Sequence, residues 1–215
     1  MTATPSDPMR GAHATCAPVV DDTLRARLGE LCAEGWDIWD RFDSDSTERP
    51  FHPFVAANYD VVCEALLAHR AEGPRFLEWG SATGVITVMA DLLGFEACGI
   101  EIDANLVRTA DELAQRFRSR ARFVSGSFLP SGYRWRAGNG DSRTGTLGTG
   151  PSGYLRLGYS LDEFDVVFGY PWDGEEAMML DLMACYGRPG ALLLLNSARD
   201  GVHAYRGGRE ITAPG

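Results

Sequence analysis

The sequence predicts a doubly wound α/β domain: a parallel sheet with helices on both faces, preceded by an N-terminal helical segment. Three observations carry this. Short apolar runs alternate with helical periods from residue 73 onward. A glycine-containing turn, Gly80–Gly84, follows the first of those runs. The run Ala191–Leu195 is apolar at every position, as a strand buried on both faces should be. A chain of 215 residues is long enough to build one such domain around a buried core.

The elements follow in order. Residues 1–17 are a polar lead with a lone Arg10 and no apolar stretch of the kind a secretion signal needs. Residues 18–215 form the domain, with N-terminal helices over 18–72 and the α/β core over 73–215. Asp21–Phe42 reads as an amphipathic helix capped by Asp21 or Asp22, with Leu24, Leu28, Leu31 and Trp39 near one stripe. Asp43–Pro50 is a charged break. Pro53 suits the first turn of a second helix running to Arg70. Strands are expected at Arg75–Trp79, Ala97–Ile102, Arg122–Ser125, Phe164–Gly169 and Ala191–Leu195. Helices are expected at Val85–Leu93, Ala104–Arg118 and Gly174–Tyr186. Five strands with intervening helices imply a sheet in the order 3-2-1-4-5.

Two segments stand outside this alternation. Pro130–Asp162 is an insert between the third and fourth strands. Its part Gly138–Gly153 is rich in Gly, Ser and Thr, and a loop of this length often serves as a lid or a partner-binding arm. After the fifth strand only about 20 residues remain. His203–Arg206 and Arg209–Thr212 read there as two short strands around Gly207-Gly208.

The chemistry concentrates at two strand ends. In Leu77-Glu78-Trp79-Gly80-Ser81-Ala82-Thr83-Gly84, Gly80 permits a tight turn and close approach of backbone to a ligand. Gly84 lets the next helix begin beside it, and Glu78 can orient an ammonium group. In Gly99-Ile100-Glu101-Ile102-Asp103, Glu101 follows Gly84 by 17 residues. A carboxylate there can accept both hydroxyls of a ribose, because two oxygens face two donors. Asp103 reads as the cap of the following helix.

These motifs resemble the class I S-adenosylmethionine-dependent methyltransferases, over roughly Phe51–Asn196. The resemblance implies a Rossmann-like core with S-adenosyl-L-methionine as cofactor. Glu78, Gly80, Ser81, Ala82 and Gly84 match the family's first motif, with Ala82 where a glycine is usual. Glu101 matches the ribose-binding acid, and Ile102 follows it. Ser127 and Phe128 fall in the third motif; Ser127 stands where an aspartate often binds adenine. Tyr59, and less so His52, come from the helices that often cover the cofactor in this family. Phe164–Trp172 matches the fourth-strand motif beside the methyl acceptor. Tyr170 and Trp172 would face the sulfonium there, with Asp173 or Tyr170 as the base if one is needed. Tyr170–Asp173 has an equal reading as a rigid turn with a helix cap. Trp36 and Trp39 read as packing residues and His203 as incidental. The family sheet normally has two further strands after the fifth, one antiparallel; this tail is too short for the usual extension.

Composition narrows the partners. The net charge of −10 disfavours phosphate backbones, so nucleic acid is not the expected acceptor. The Asn/Asp-Pro-Pro-aromatic form of amino-directed nucleic-acid methyltransferases is also missing. No apolar run is long enough to span a bilayer. The five cysteines lack zinc-ligand spacing and fit free thiols in a reducing cytoplasm, and no metal is expected. The expectation is a cytoplasmic methyltransferase acting on a small-molecule or protein acceptor, with a bare fifth-strand edge that leaves room for a homodimer. A non-catalytic cofactor-binding or assembly protein is the alternative reading. A nicotinamide-dependent oxidoreductase is disfavoured, because G-S-A-T-G from Gly80 does not supply G-x-G-x-x-G.

Overall fold

The structure, a computed structural model, describes residues 20–46, 55–134, 150–172 and 174–211. Helices α1 (Asp22–Ser46) and α2 (Tyr59–His69) precede an alternating core. That core runs β1 (Arg75–Trp79), α3 (Val85–Leu92), β2 (Glu96–Glu101), α4 (Ala104–Arg116) and β3 (Arg122–Ser125). After the insert come α5 (Tyr154–Leu157), β4 (Val166–Gly169), α6 (Glu176–Tyr186) and β5 (Leu192–Ser197). Strands β6 (Gly201–Arg206) and β7 (Arg209–Ile211) close the chain.

The sheet order is β3-β2-β1-β4-β5-β6-β7, parallel through β5 and antiparallel at β6 and β7. The expected 3-2-1-4-5 order is present. The hairpin read from Gly207-Gly208 extends it, with both turn glycines at positive φ (57° and 74°). The two strands after β5 are thus supplied by a direct hairpin. The β5 edge is paired along its length by β6, so the bare edge expected from the sequence is not there.

Alternation along the strands sorts the core into two layers. Phe76, Ala97, Val166, Phe168, Leu192, Leu194 and Ala204 face one side, against Leu24, Leu28 and Leu31 of α1, Val62 and Leu66 of α2, and the length of α3. Leu77, Trp79, Cys98, Ile100, Val167, Leu193 and Leu195 face the other, against Tyr154, Leu157, Met178, Met179 and Leu182. Strand β1 lies between β2 and β4, so the chain reverses its winding there. In open α/β sheets ligands bind at this crevice, outside the carboxyl ends of the strands.

Several boundaries differ from the sequence reading, each for a local reason. Helix α1 continues to Ser46 through the expected charged break, since polar residues on an exposed helix cost little. Arg41 pairs there with Glu34 at 3.3 Å. Helix α2 begins at Tyr59, not near Pro53, because Asn58 leaves helical backbone and its side chain accepts from the Val61 N–H at 3.4 Å. Pro53 and His52 lie outside the described residues. Strand β4 starts at Val166, since the Asp165 carboxylate turns back to accept from the Arg75 N–H (2.9 Å) and pairs with Arg188. Asp103 caps α4 as expected, accepting from the Asn105 N–H at 2.7 Å. Asp21 caps α1, accepting from the Leu24 N–H at 2.8 Å.

The insert is more structured than its composition suggests. Residues 135–149 lie outside the described part. Before them, the Tyr133 hydroxyl donates to Asp181 of α6 at 2.8 Å. After them the chain returns to pair Ser152 with Ser127, then forms α5 and a 3₁₀ turn over Leu161–Glu163. The buried indole of Trp79 donates to the Tyr154 hydroxyl at 2.8 Å, fixing the returning segment to β1. Tyr154→Phe strands the Trp79 N–H without a partner. We expect a loss of about 1–3 kcal/mol and a melting midpoint lower by roughly 3–8 °C, read by thermal and urea denaturation.

Candidate functional site

The site grows from the ends of β1 and β2. The turn after β1 is held on the neighbouring strand: the Gly80 and Ser81 N–H groups both donate to the Ile100 carbonyl, at 2.9 and 3.1 Å. Ala82 then takes a left-handed conformation (φ 44°), unusual for a residue with a Cβ. This aims its N–H at Glu101, whose Oε2 accepts it at 2.9 Å. Oε1 of the same carboxylate accepts from the Asp103 N–H at 2.9 Å. One side chain thereby clamps the loop after β1 to the loop after β2. The Ile102 backbone also donates to this carboxylate.

Gly84 is fixed by packing. A Cβ there would stand 2.7 Å from both Ala110 Cβ and the Phe123 ring, at a backbone φ of 82°. The start of α3 therefore sits tight against α4 and β3. A Cβ on Gly80 would meet nothing within 4 Å, so the space above that turn is open.

Glu78 is buried on the face covered by α1, α2 and α3. Its carboxyl accepts from the Thr87 hydroxyl. Burial pushes it up from 4.5 to about 8, against the hydrogen bond from Thr87 and with a smaller push from the charge of Glu101. Burial likewise raises Glu101, opposed by the backbone donors of Asp103 and Ala82. Tyr59 sits over this region, 4% exposed. Its hydroxyl is raised first by burial and then by the charge of Glu78. The Trp36 ring packs on Tyr59 with centroids 5.1 Å apart. Gly35 of α1 makes room, since a Cβ there would meet the Tyr59 ring at 2.9 Å.

No family model matches the chain. Over 103 residues it is 29% identical to a ribosomal protein L11 methyltransferase of Thermus thermophilus, covering 45% of this chain and 41% of that protein. The chain thus spans under half the length of this curated relative. Among solved structures it is similar to an RNA methyltransferase of Salinibacter ruber crystallised with S-adenosyl-L-homocysteine. The identity is 20%, the coverage 66% of this chain and 76% of that one, and the TM-score 0.46. A methyltransferase of Geobacter sulfurreducens shares 17% identity over 83% of this chain and 78% of its own, with a TM-score of 0.46. The chain has a Rossmann-like α/β fold, with a 3-2-1-4-5 parallel sheet extended by an antiparallel hairpin. Within that fold, the structure brings some of the predicted residues together and sets others apart.

Glu78, Gly80, Ala82, Glu101 and Tyr59 gather around the β1 end. Ser81 is buried and turned toward Gly99, where an added Cβ would meet its hydroxyl at 2.7 Å. Ile102 is 44% exposed at the rim of the same end. Ser127 is occupied by the insert: its N–H donates to the Pro151 carbonyl (2.9 Å) and its hydroxyl accepts from the Leu129 N–H (3.1 Å). Phe128 stacks on Trp79, with centroids 5.5 Å apart. Tyr170 is half-buried against the first core layer. The Trp172 N–H donates to the buried Glu175 at 3.1 Å. Asp173 lies outside the described residues. His203 contacts Glu210 at 2.7 Å on the hairpin, away from this end.

Sequence reasoning missed Thr87, Gly35 and Tyr154. Thr87 is two residues into α3, on the stripe facing β1; the pattern of buried positions in Val85–Ala90 was the available signal. Tyr154 carried no local signal inside the glycine-rich insert.

A group whose folded value is raised binds its proton more tightly when folded. The contribution of Glu78 is therefore complete below pH 4.5 and lost as pH rises through about 8. Glu78→Gln removes that loss. Between pH 6 and 9 we expect the wild-type melting midpoint to fall relative to the variant by about 3 °C or more, followed by calorimetry across the range.

Proposed function

We propose that the crevice between the ends of β1, β2 and β4 binds S-adenosyl-L-methionine and that the protein transfers its methyl group to an acceptor. The observation that carries this is the convergence of two loops on one carboxylate: Glu101 accepts from both Ala82 and Asp103. The residues present suit the cofactor. The open space above Gly80 admits a nucleoside against the backbone. Glu101, an acceptor at the end of β2, has capacity left for a ribose hydroxyl beyond its three backbone donors. Glu78 is a buried carboxyl raised by burial, fit to receive an ammonium group. Ile102 flanks the adenosine end. Tyr170 and Trp172 follow β4 on the acceptor side, where aromatic faces favour a sulfonium.

The cofactor supplies an electrophilic methyl group and a neutral thioether as leaving group. Bound there, it would give that methyl to an acceptor atom, with the carbon–sulfur electron pair staying on sulfur. A proton of the acceptor then passes to water. The task of the protein is to orient the partners and exclude water, which needs little acid–base apparatus. The net charge of −10 favours a small-molecule or protein acceptor over nucleic acid. Among the described residues no helix is long and apolar enough to cross a membrane.

Calorimetric titration with S-adenosyl-L-homocysteine tests the reading. Micromolar binding is expected, and Glu101→Ala should weaken it at least tenfold, about 1.4 kcal/mol or more. A titration with neither heat nor a thermal shift rejects it.

Because an ammonium partner favours the carboxylate of Glu78, binding should release protons near pH 7. Affinity should then rise with pH toward 8, and this rise should vanish in Glu78→Gln. Titrations in buffers of different ionisation enthalpy count those protons. An affinity flat from pH 6 to 8.5 removes Glu78 from the ammonium role.

A further inference from the structure

The buried stripe of α2 runs Tyr59, Val62, Leu66 and ends on His69, a histidine where the spacing asks for an apolar residue. His69 is 4% exposed, and its Nδ1 has no hydrogen-bond partner among the described residues. Glu72, three residues on, stands 3.9 Å from that nitrogen, beyond hydrogen-bonding reach, and gives its other oxygen to Arg206 at 2.7 Å. A buried ring nitrogen without a partner costs free energy, and native proteins rarely leave one without a reason.

His69 also lines a groove of about 730 Å³ between α2 and the last strands, a size that suits a small organic molecule. Apolar side chains such as Ala65 and Leu194 share the lining with four titratable ones: Glu64 and His69 of α2, His203 of β6 and Glu210 of β7. Glu210 meets the His203 Nδ1 at 2.7 Å, and a neutral His203 that donates there keeps its Nε2 as an acceptor. The two carboxylates are acceptors only. No arginine is among the described residues of the lining, and the chain contains no lysine.

The groove therefore offers negative charge and acceptor atoms beside apolar surface, and it repels carboxylates and phosphates. Among the described residues, no three His, Cys, Asp or Glu side chains gather closely enough to hold a metal ion. A bare metal cation needs such a tight cage. An ammonium group on a carbon body does not: its three donors can reach acceptors spread along a wall while the body covers the apolar lining. Neither Glu78, Gly80 nor Glu101 lines the groove, so it is separate from the cofactor end.

We infer that the α2 groove is a second binding site, for a primary amine with a short apolar body. Glu64 and Glu210 hold its ammonium group, and the His69 imidazole gains the partner that the chain does not provide. Its apolar body lies on Ala65 and Leu194. This inference stands apart from the cofactor reading and does not rest on it.

The test uses the full chain with 2-phenylethylamine as the probe, and 2-phenylethanol and 3-phenylpropionate as its uncharged and anionic counterparts of similar size. Binding is followed by calorimetry and saturation-transfer NMR, with and without S-adenosyl-L-homocysteine. The amine should bind at about millimolar strength or tighter, and both counterparts about tenfold more weakly or worse. Glu64 and Glu210 are exposed, so Glu64→Gln with Glu210→Gln removes charge at nearly constant shape. That double variant should lose about tenfold in amine affinity while its melting midpoint stays within about 2 °C of wild type. His69→Phe should also weaken the amine and melt at or above the wild-type midpoint, because an unpartnered nitrogen leaves a buried position. Saturating S-adenosyl-L-homocysteine should leave amine affinity unchanged. Equal affinity for amine and alcohol, preference for the acid, undiminished affinity in the double variant, or no amine binding at millimolar concentration each overturns the inference. A lower midpoint in His69→Phe overturns it as well, since the ring would then have a structural partner. Displacement of the amine by S-adenosyl-L-homocysteine also overturns it, because the amine would then sit in the cofactor crevice.

Discussion

The carboxylate of Glu101 holds the site together. Two loops that carry no regular structure of their own, Gly80–Gly84 and Ile102–Asp103, are each tied to it by a backbone N–H. The cost of that arrangement is visible in Ala82, which sits at φ 44° to deliver its N–H. An alanine in left-handed backbone is strained relative to glycine, and here the strain is offset by a charge-assisted hydrogen bond in a buried setting. Burial opposes ionisation of Glu101 while the backbone donors of Asp103, Ala82 and Ile102 favour it. The loops and the charge state of the carboxylate therefore stabilise each other.

Everything else at this end supports that clamp from below. Gly84 lets α3 start against Ala110 and Phe123, so the turn cannot drift outward. The Ile100 carbonyl receives Gly80 and Ser81, which makes the turn an extension of the β1–β2 pairing. On the opposite face, Trp79 is held by Tyr154 from the insert. A second acid, Glu78, lies deeper and has the hydroxyl and the backbone N–H of Thr87 to balance its burial. The two acids divide the work by environment. Glu101 is surrounded by donors and is suited to hydroxyls; Glu78 has few donors and is suited to a cation that would complete its charge.

The strand–helix alternation was legible because every core strand is a short apolar run bounded by Gly, Pro or charged residues, and β5 needed no periodicity beyond its leucines. Glu78, Gly80 and Glu101 were singled out by their spacing, and the structure sets them at the adjacent ends of β1 and β2. Legibility failed where a contact depends on distant chain. Nothing around Tyr154 announces that it meets Trp79, 75 residues earlier. The pairing of Ser127 with Ser152 and the stacking of Phe128 on Trp79 likewise come from distant chain. The start of α2 was misplaced because proline at a first turn and asparagine at a cap are both good signals, and the asparagine won.

The hairpin after β5 changes what the right half of the sheet can offer. With β6 entering directly through a short turn, no helix intervenes between β5 and β6, and α2 residues line a groove beside Leu194, Val202 and Ala204. Helix α2 presents small side chains there, Ala65 and Ala68, and small residues leave a groove where larger ones would seal the layer.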